Sequence, residues 1–278
     1  MTTLRYAKGH GTQNDFVVLP DPDGRIDLTP ALVRALCDRH AGVGGDGVLR
    51  MVPSLRHPEA AADAGAAEWF MDYRNADGSV AEMCGNGVRV FARYLVDTGL
   101  VAPGEFAVAT RAGVRAVLAP AAGDVTVDIG PAELRGESAA VLGGVTYRGT
   151  AVSTGNPHLV CLVDKPVADL DLSAPPLADP AVFPGGVNVE FANVVGPSQV
   201  TMRVYERGVG ETRSCGTGVC ATAAVVAAQS GRQPVTVDVP GGRLTVAFDG
   251  TTCLLTGPAV IVAEGTVRLE SLRAAATG

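Results

Sequence analysis

Two stretches place a cysteine directly before a glycine-rich helix start, Cys84-Gly-Asn-Gly87 and Cys215-Gly-Thr-Gly218. The residues after them, from Val88 and from Val219, have helical spacing of apolar side chains. Glycine in a first turn weakens a helix. It makes sense where something must approach the free backbone N–H groups closely. A helix start carries about half a unit of positive charge, so it both cradles a carboxylate and lowers the pKa of a nearby thiol. Two such starts facing each other would hold an α-amino acid by its carboxylate, with one sulfur on each face of the α-carbon. One thiolate would remove the α-proton and the opposite thiol would return one, inverting the centre. The carbanion charge would flow into the carboxylate, where oriented donors in a water-excluded pocket stabilise it. A single Cys-Gly-x-Gly is a weak signal, because most buried cysteines are small apolar fillers; the recurrence carries the reading.

Competing chemistries fit less well. Neither motif continues into the Lys-Ser/Thr of a phosphate-binding loop. Pyridoxal phosphate needs a Schiff-base lysine, and the only lysines are Lys8 and Lys165, neither beside a phosphate loop. No cofactor is therefore expected. No metal site is expected either: Cys215 and Cys220 form a C-x4-C pair with no second pair to complete it. Cys37, Cys161, Cys220 and Cys253 lie in apolar runs and read as packing residues.

Composition narrows the class further. The chain has 278 residues, 47% hydrophobic and 18% charged, with net charge −7. That length suits two domains. With no Lys/Arg cluster, no nucleic-acid partner is expected. No apolar run reaches the length of a membrane span, and the first residues lack the apolar core of a secretory signal. Six irregularly spaced cysteines suggest a cytoplasmic protein with reduced thiols.

These groups must be positioned by short strands bounded by Gly, Pro and Asp turns. In the first half they are 15–19, 48–52, 69–73, 106–110, 114–119 and 125–129. In the second they are 145–152, 159–163, 187–195, 200–205, 235–239, 244–248 and 252–256. Three helices are expected, one over Pro30–His40 capped by Thr29 and one after each motif cysteine. Arg56–Glu68 reads as a surface loop or insertion. The halves look duplicated. Asn14-Asp-Phe-Val-Val aligns with Asn156-Pro-His-Leu-Val, and Gly42–Gly47 with Gly186–Phe191. Asp72-Tyr-Arg-Asn75 aligns with Val204-Tyr-Glu-Arg207, and Cys84 with Cys215. Two similar lobes follow, each β-rich around one helix and divided near Gly130–Gly136.

As a set, these motifs resemble the diaminopimelate epimerase family. The resemblance lies in Gly9-His-Gly-Thr-Gln-Asn-Asp-Phe16, Arg39-His-Ala-Gly-Val-Gly-Gly-Asp46, Asn75-Ala-Asp-Gly-Ser79 and Met83-Cys-Gly-Asn-Gly87. It continues in Gly155-Asn-Pro-His158, Gly186-Val-Asn188 and Glu206–Gly218. It implies interconversion of LL- and meso-2,6-diaminopimelate, a step toward lysine and peptidoglycan, by an isomerase without cofactor. It implies an α+β fold of two pseudo-symmetric lobes, each a barrel-like sheet around a central helix, with the site in the cleft between them. Lobes over 1–130 and 131–262 are expected, the first completed by a C-terminal strand within 263–278, the stretch Gly265–Glu270 crossing back. By resemblance, Cys84 and Cys215 transfer the protons. Asn14, Asn75, Gly85, Asn86, Asn156, Asn188, Glu206, Arg207, Gly216 and Thr217 bind substrate, and His158 and Glu206 support proton transfer. The only partner implied is the amino-acid substrate, with a homodimer as the compatible assembly. One departure stands out: many family members carry Gln where this chain has Gly47.

Two rival readings remain at this point. A two-thiol racemase of proline or hydroxyproline would leave Arg207 and the asparagines without a distal charged group to bind. A non-catalytic binding protein or dithiol redox sensor on the same lobes would show no exchange at the substrate α-carbon.

Overall fold

The computed structural model describes residues 3–250 and 252–275. Among them are eighteen strands and four α-helices, a mixed α+β fold. In chain order the first half holds β1 (Thr3–Gly11), β2 (Asn14–Pro20), α1 (Pro30–Cys37), β3 (Gly47–Pro53), β4 (Trp69–Asn75), α2 (Gly85–Asp97), β5 (Gly104–Thr110), β6 (Gly113–Ala119) and β7 (Val125–Pro131). There follow β8 (Glu133–Leu142), β9 (Val145–Ser153), β10 (Pro157–Leu162), β11 (Leu177–Ala178), β12 (Asn188–Gly196), β13 (Gln199–Glu206) and β14 (Gly210–Thr212). The chain continues with α3 (Gly216–Ser230), β15 (Val235–Val239), β16 (Gly242–Asp249), β17 (Thr252–Gly257), β18 (Val260–Arg268) and α4 (Leu269–Ala275).

Two compact units divide after Val127 and again after Gly257, so that β18 and α4 belong with the first. In that unit, strand pairing runs β18–β1–β2–β3–β4–β5–β6–β7. Only β2–β3 and β4–β5 are parallel. The second unit runs β8–β9–β10–β12–β13–β15–β16–β17, with only β10–β12 and β13–β15 parallel. The same succession of polarities therefore occurs twice. Strands β7, β15 and β17 alternate buried and half-buried residues, the period-two pattern of a sheet covered on one face. By contrast the middle of β2 and nearly all of β3, joined in parallel, are buried on successive residues.

Each unit packs its sheet around one buried helix, and in the first unit α1 and α4 cover β2 and β3 as well. Every residue of α2 from Gly85 to Val96 is buried, including Arg89 and Arg93. It touches β1, β2, β3, β4, β6 and β18. Helix α3, rich in Ala and Val on all sides, touches β9, β10, β12, β15, β16 and β17. A helix without a polar face must be enclosed.

Several expectations need correction. The helix begun by Pro30 ends at Cys37 rather than His40. Thr29 Oγ1 accepts from Leu32 N–H as expected (3.2 Å), a cap worth about 1 kcal/mol. The Asp38 carboxylate then takes the amides of His40 and Ala41, each at 2.7 Å, and turns the chain away. The expected C-terminal strand stops at Arg268, and Leu269 opens a helix whose Leu272 is buried with Leu36 and Val33; residues 276–278 of that expectation lie outside the described residues. Arg56–Glu68 is more than surface. It contains short 3-10 turns, and Ala60 and Ala67 pack under it with Val52, Phe70 and Ala109. Strands β1 and β8 were not anticipated. Thr3–Gly11 (TLRYAKGHG) and Glu133–Leu142 (ELRGESAAVL) are broken by charged residues and glycine, which masks their strand pattern.

Beneath that segment lies a buried charge cluster. Asp72 accepts from Arg74 (2.8 Å) and Arg111 (2.7 Å), with Arg50 at 3.5 Å, and Arg50 also binds Asp21 at 2.7 Å. Burial alone would raise the Asp72 pKa; the hydrogen bonds of Arg74 and Arg111 overcome it and hold the carboxyl below its usual range.

Candidate functional site

Strand polarity sets the site of each unit. Because β2 and β3 run in parallel and β4 opposes them, Asn14, Gly47 and Asn75 stand at the same end of three adjacent strands. The link from β4 then leads to Cys84, the N-cap of α2. In the second unit the same logic gathers Asn156 before β10, Asn188 opening β12 and Glu206 closing β13. There Cys215 is the N-cap of α3.

In the first unit, the Gly87 N–H donates to Cys84 Sγ at 3.4 Å. Asn14 Oδ1 accepts from the Cys84 thiol (3.7 Å) and from Asn86 Nδ2 (3.3 Å). Two groups fix these amide orientations. Asp46 takes Asn14 Nδ2 at 2.8 Å, and the fully buried Arg89 donates to Asn86 Oδ1 at 2.9 Å and Gly85 O at 3.4 Å. Asp15, tied to Lys8 and Arg39, is held far below the usual carboxylate range; burial opposes this and the two cations win. Asn75 Nδ2 donates to Ser79 Oγ within the turn leading toward Cys84 (3.0 Å).

In the second unit, Cys215 Sγ lies 3.5 Å from Thr217 Oγ1, which accepts from Asn156 Nδ2 at 3.4 Å. Asn156 Oδ1 meets His158 Nε2 at 3.0 Å and accepts from Thr154 Oγ1 at 3.1 Å. His158 Nδ1 lies 2.7 Å from Glu190 Oε1, with both side chains wholly buried. Asn188 donates to Pro157 O (3.1 Å) and accepts from the Arg207 N–H (2.9 Å). The exposed Arg207 guanidinium rests on Gly185 O at 3.0 Å, and Glu206 accepts from Thr212 Oγ1. Burial pushes the Cys215 thiol well up, and the carboxylates of Glu206 and Glu190 add to this; Thr217 and the Gly218 amide pull weakly the other way.

The other cysteines are buried. Burial pushes Cys37 and Cys161 up to about 12. Cys253 is lowered, chiefly by a hydrogen bond with Cys220.

The structure revises how the halves correspond. Phe16 pairs with Gly47, and His158, its counterpart two residues after the matched asparagine, pairs with Asn188. Gly47 therefore corresponds to Asn188, and Leu49 to Glu190. The sequence alignment of Gly42–Gly47 with Gly186–Phe191 slips by three residues, because shared Gly and Val dominated it. Likewise Gly47 faces Asn75, and β12–β13 register carries Asn188 to Glu206, so Asn75 corresponds to Glu206 rather than Arg207.

The second glycine of each motif also has a packing role that the sequence reading gave only to ligand approach. A β-carbon at Gly87 would stand 3.2 Å from Leu49 Cδ2 and 3.6 Å from Phe16 Cζ. One at Gly218 would stand 2.4 Å from Glu190 Oε1. Glu190, Asp46 and Arg89 were missed as site residues. The available signal was a charge inside an otherwise apolar strand or helix, Asn188-Val-Glu-Phe-Ala192 and Val88-Arg-Val-Phe91.

Comparison with known proteins gives a consistent result. A family model described as diaminopimelate epimerase matches residues 6–135 and 150–267. The chain is 57% identical to the diaminopimelate epimerase of Thermobifida fusca (strain YX), with 97% of this chain and 100% of that protein covered. It is 55% identical to that of Streptomyces coelicolor, with 95% of each covered. Among solved structures, it resembles a hydroxyproline epimerase from Agrobacterium vitis (TM-score 0.68, 15% identity, 96% and 93% covered). It also resembles a Bacillus anthracis phenazine biosynthesis protein of the PhzF family (TM-score 0.71, 16% identity, 97% and 100% covered). At such identities the structural likeness speaks for the fold alone.

Proposed function

The chain belongs to the diaminopimelate epimerase family, and from that premise we propose that it interconverts LL- and meso-diaminopimelate with Cys84 and Cys215 as the two proton-transfer groups. It is an isomerase of lysine biosynthesis. The observation that supports the residue assignment is that each cysteine stands at the N-cap position of the buried helix of its unit, at the strand ends where the polar side chains gather.

One thiolate takes the α-hydrogen as a proton, leaving the electron pair on carbon and, by resonance, on the α-carboxylate. The opposing S–H then protonates the other face of the same carbon. The two sulfurs exchange protonation states over one turnover, and the reverse direction restores them. Either sulfur serves as the base, according to which configuration is bound, and burial of Cys215 favours its thiol form when Cys84 is the base. The amide at Gly87 and the first-turn amides of Gly85–Asn86 and Gly216–Thr217 supply donors for negative charge. Neutral Asn14, Asn75, Asn156 and Asn188 serve the amino and carboxylate groups, and Glu206 can pair with an ammonium. Arg207 is the group for the distal carboxylate, which it can hold bidentately. The repeated succession of strand polarities supports reading the units as pseudo-symmetric, barrel-like lobes, each around its helix.

The test is α-deuterium incorporation into LL-diaminopimelate in D2O. The parent should exchange and invert, and Cys84→Ser and Cys215→Ser should each lose at least about a hundredfold, the lower range for a general acid or base. A serine variant with full activity would remove that cysteine from the mechanism. Exchange into proline instead of diaminopimelate would overturn the substrate.

A further inference from the structure

Two internally corresponding places differ in one respect that the fold does not require. Under the start of α2, the side chains facing Gly87 are Phe16 and Leu49, both fully buried. Under the start of α3, the corresponding positions hold His158 and Glu190, also fully buried and 2.7 Å apart. The architecture accepts an apolar pair here, and burying an ionisable pair is costly unless both partners are satisfied. The Glu190 pair is not fully satisfied: its Oε2 accepts no hydrogen bond from any described residue.

From the buried pair a continuous chain leads to sulfur: Glu190, His158, Asn156, Thr217, Cys215. Its polarity follows from what each group can do. Asn156 Oδ1 accepts from Thr154, which directs the amide nitrogen to Thr217 Oγ1. With that oxygen accepting, the Thr217 hydroxyl hydrogen is left for Cys215. The arrangement needs His158 to donate from Nε2, so a proton must lie between Nδ1 and Glu190 whichever atom carries it.

We propose that Glu190 is a positioning residue for proton transfer at Cys215, acting through His158 and Asn156 to hold the Thr217 hydroxyl as a donor to the sulfur. The inference rests on Cys215 being a proton-transfer group. Burial raises the Glu190 pKa, and His158 beside it opposes the shift. Gly218 belongs to the same device, since only a residue without a β-carbon leaves Glu190 its place.

The test compares Glu190→Gln and Glu190→Leu in the full-length chain, measuring kcat and KM for LL-diaminopimelate and thermal midpoints. The rate of iodoacetamide labelling at Cys215 and Cys84 is read separately by peptide mapping. Glutamine can still donate to His158 Nδ1, while leucine cannot. Glu190→Leu should lower kcat by about 10- to 100-fold, the range for losing a partner that orients a working histidine, with KM little changed. Cys215 labelling should slow while Cys84 labelling stays constant, and Glu190→Gln should restore most of kcat. Wild-type kcat in the leucine variant overturns the proposal. So does failure of glutamine to rescue, or a loss that follows the thermal midpoint in both variants. If Cys215→Ser is itself fully active, the underlying assignment of Cys215 fails instead.

Discussion

Replacing Gly218 by alanine adds a single methyl group at a point where the structure has no room. The new carbon would stand 2.4 Å from Glu190 Oε1. A flexible surface carboxylate could swing aside. This one is enclosed and bonded to His158 at 2.7 Å, so either the dyad breaks or the first turn of α3 moves. At 2.4 Å something must shift, so overpacking should cost about 2–3 kcal/mol, the upper part of its usual range, and the better helix propensity of alanine returns about 1 kcal/mol. The net loss is then about 1–2 kcal/mol. Gly87→Ala is the internal control. Its methyl meets Leu49 Cδ2 at 3.2 Å, and a leucine end can yield by a few tenths of an ångström, so the propensity gain nearly cancels the contact. Thermal unfolding should place Gly218→Ala about 2–8 °C below Gly87→Ala, at roughly 2–4 °C per kcal/mol for a chain of this size. In a double variant, Glu190→Ala should relieve much of the Gly218→Ala penalty, a positive coupling of about 0.5–3 kcal/mol. Equal midpoints for the two alanine variants, or strict additivity with Glu190→Ala, would refute the argument.

Asp72→Ala removes a wholly buried carboxylate and leaves the half-buried Arg74 without its ion-pair partner, while Arg111 keeps Glu59 and Arg50 keeps Asp21; it should destabilise the first unit by about 3 kcal/mol, the lower end for a broken buried pair, read as a lower urea midpoint, and a loss under about 1 kcal/mol would show the cluster to be well hydrated. The depressed carboxyls of Asp15 and Asp72 carry a sign: their stabilisation is complete above the unfolded value near 3.9 and is lost as pH falls below it toward their folded values. Urea midpoints should therefore drop steeply below about pH 4, and a flat profile there would count against these ion pairs. Gly47→Gln should lower the thermal midpoint, since its β-carbon would lie 2.5 Å from Arg74 O and 2.7 Å from Tyr73 Cε2; unchanged stability would mean that the strand end yields easily. Because Cys215 is pushed up, the alkaline limb of the rate should lie above the ordinary thiol range near 8.5, whereas a limb at or below it would contradict a thiol held by burial.

Much of the design was legible in the chain. Thirteen strand runs were marked by β-branched, aromatic and other apolar residues between Gly, Pro and Asp turns, and the motif cysteines announced their helices. What stayed hidden depended on pairing. Strand β18 closes on β1 through a register that no local pattern encodes. The true correspondence of Gly47 with Asn188 emerged only from which residues face each other across parallel strands. Glu190 illustrates the same limit. Its charge was visible, but its significance lies in His158 beside it and Gly218 above it, 32 and 28 positions away in sequence.

The pairing of β1 with β18 has a consequence for biosynthesis. Thr3 faces Arg268 across the ladder, so an edge made among the first residues waits for a partner translated near the end. The second unit is contiguous, from Asp128 to Gly257, and all its strands have left the ribosome before β18 emerges. Strands of the second unit can therefore pair before the first unit closes, with the β1 edge open to mispairing or chaperones until β18 has been made.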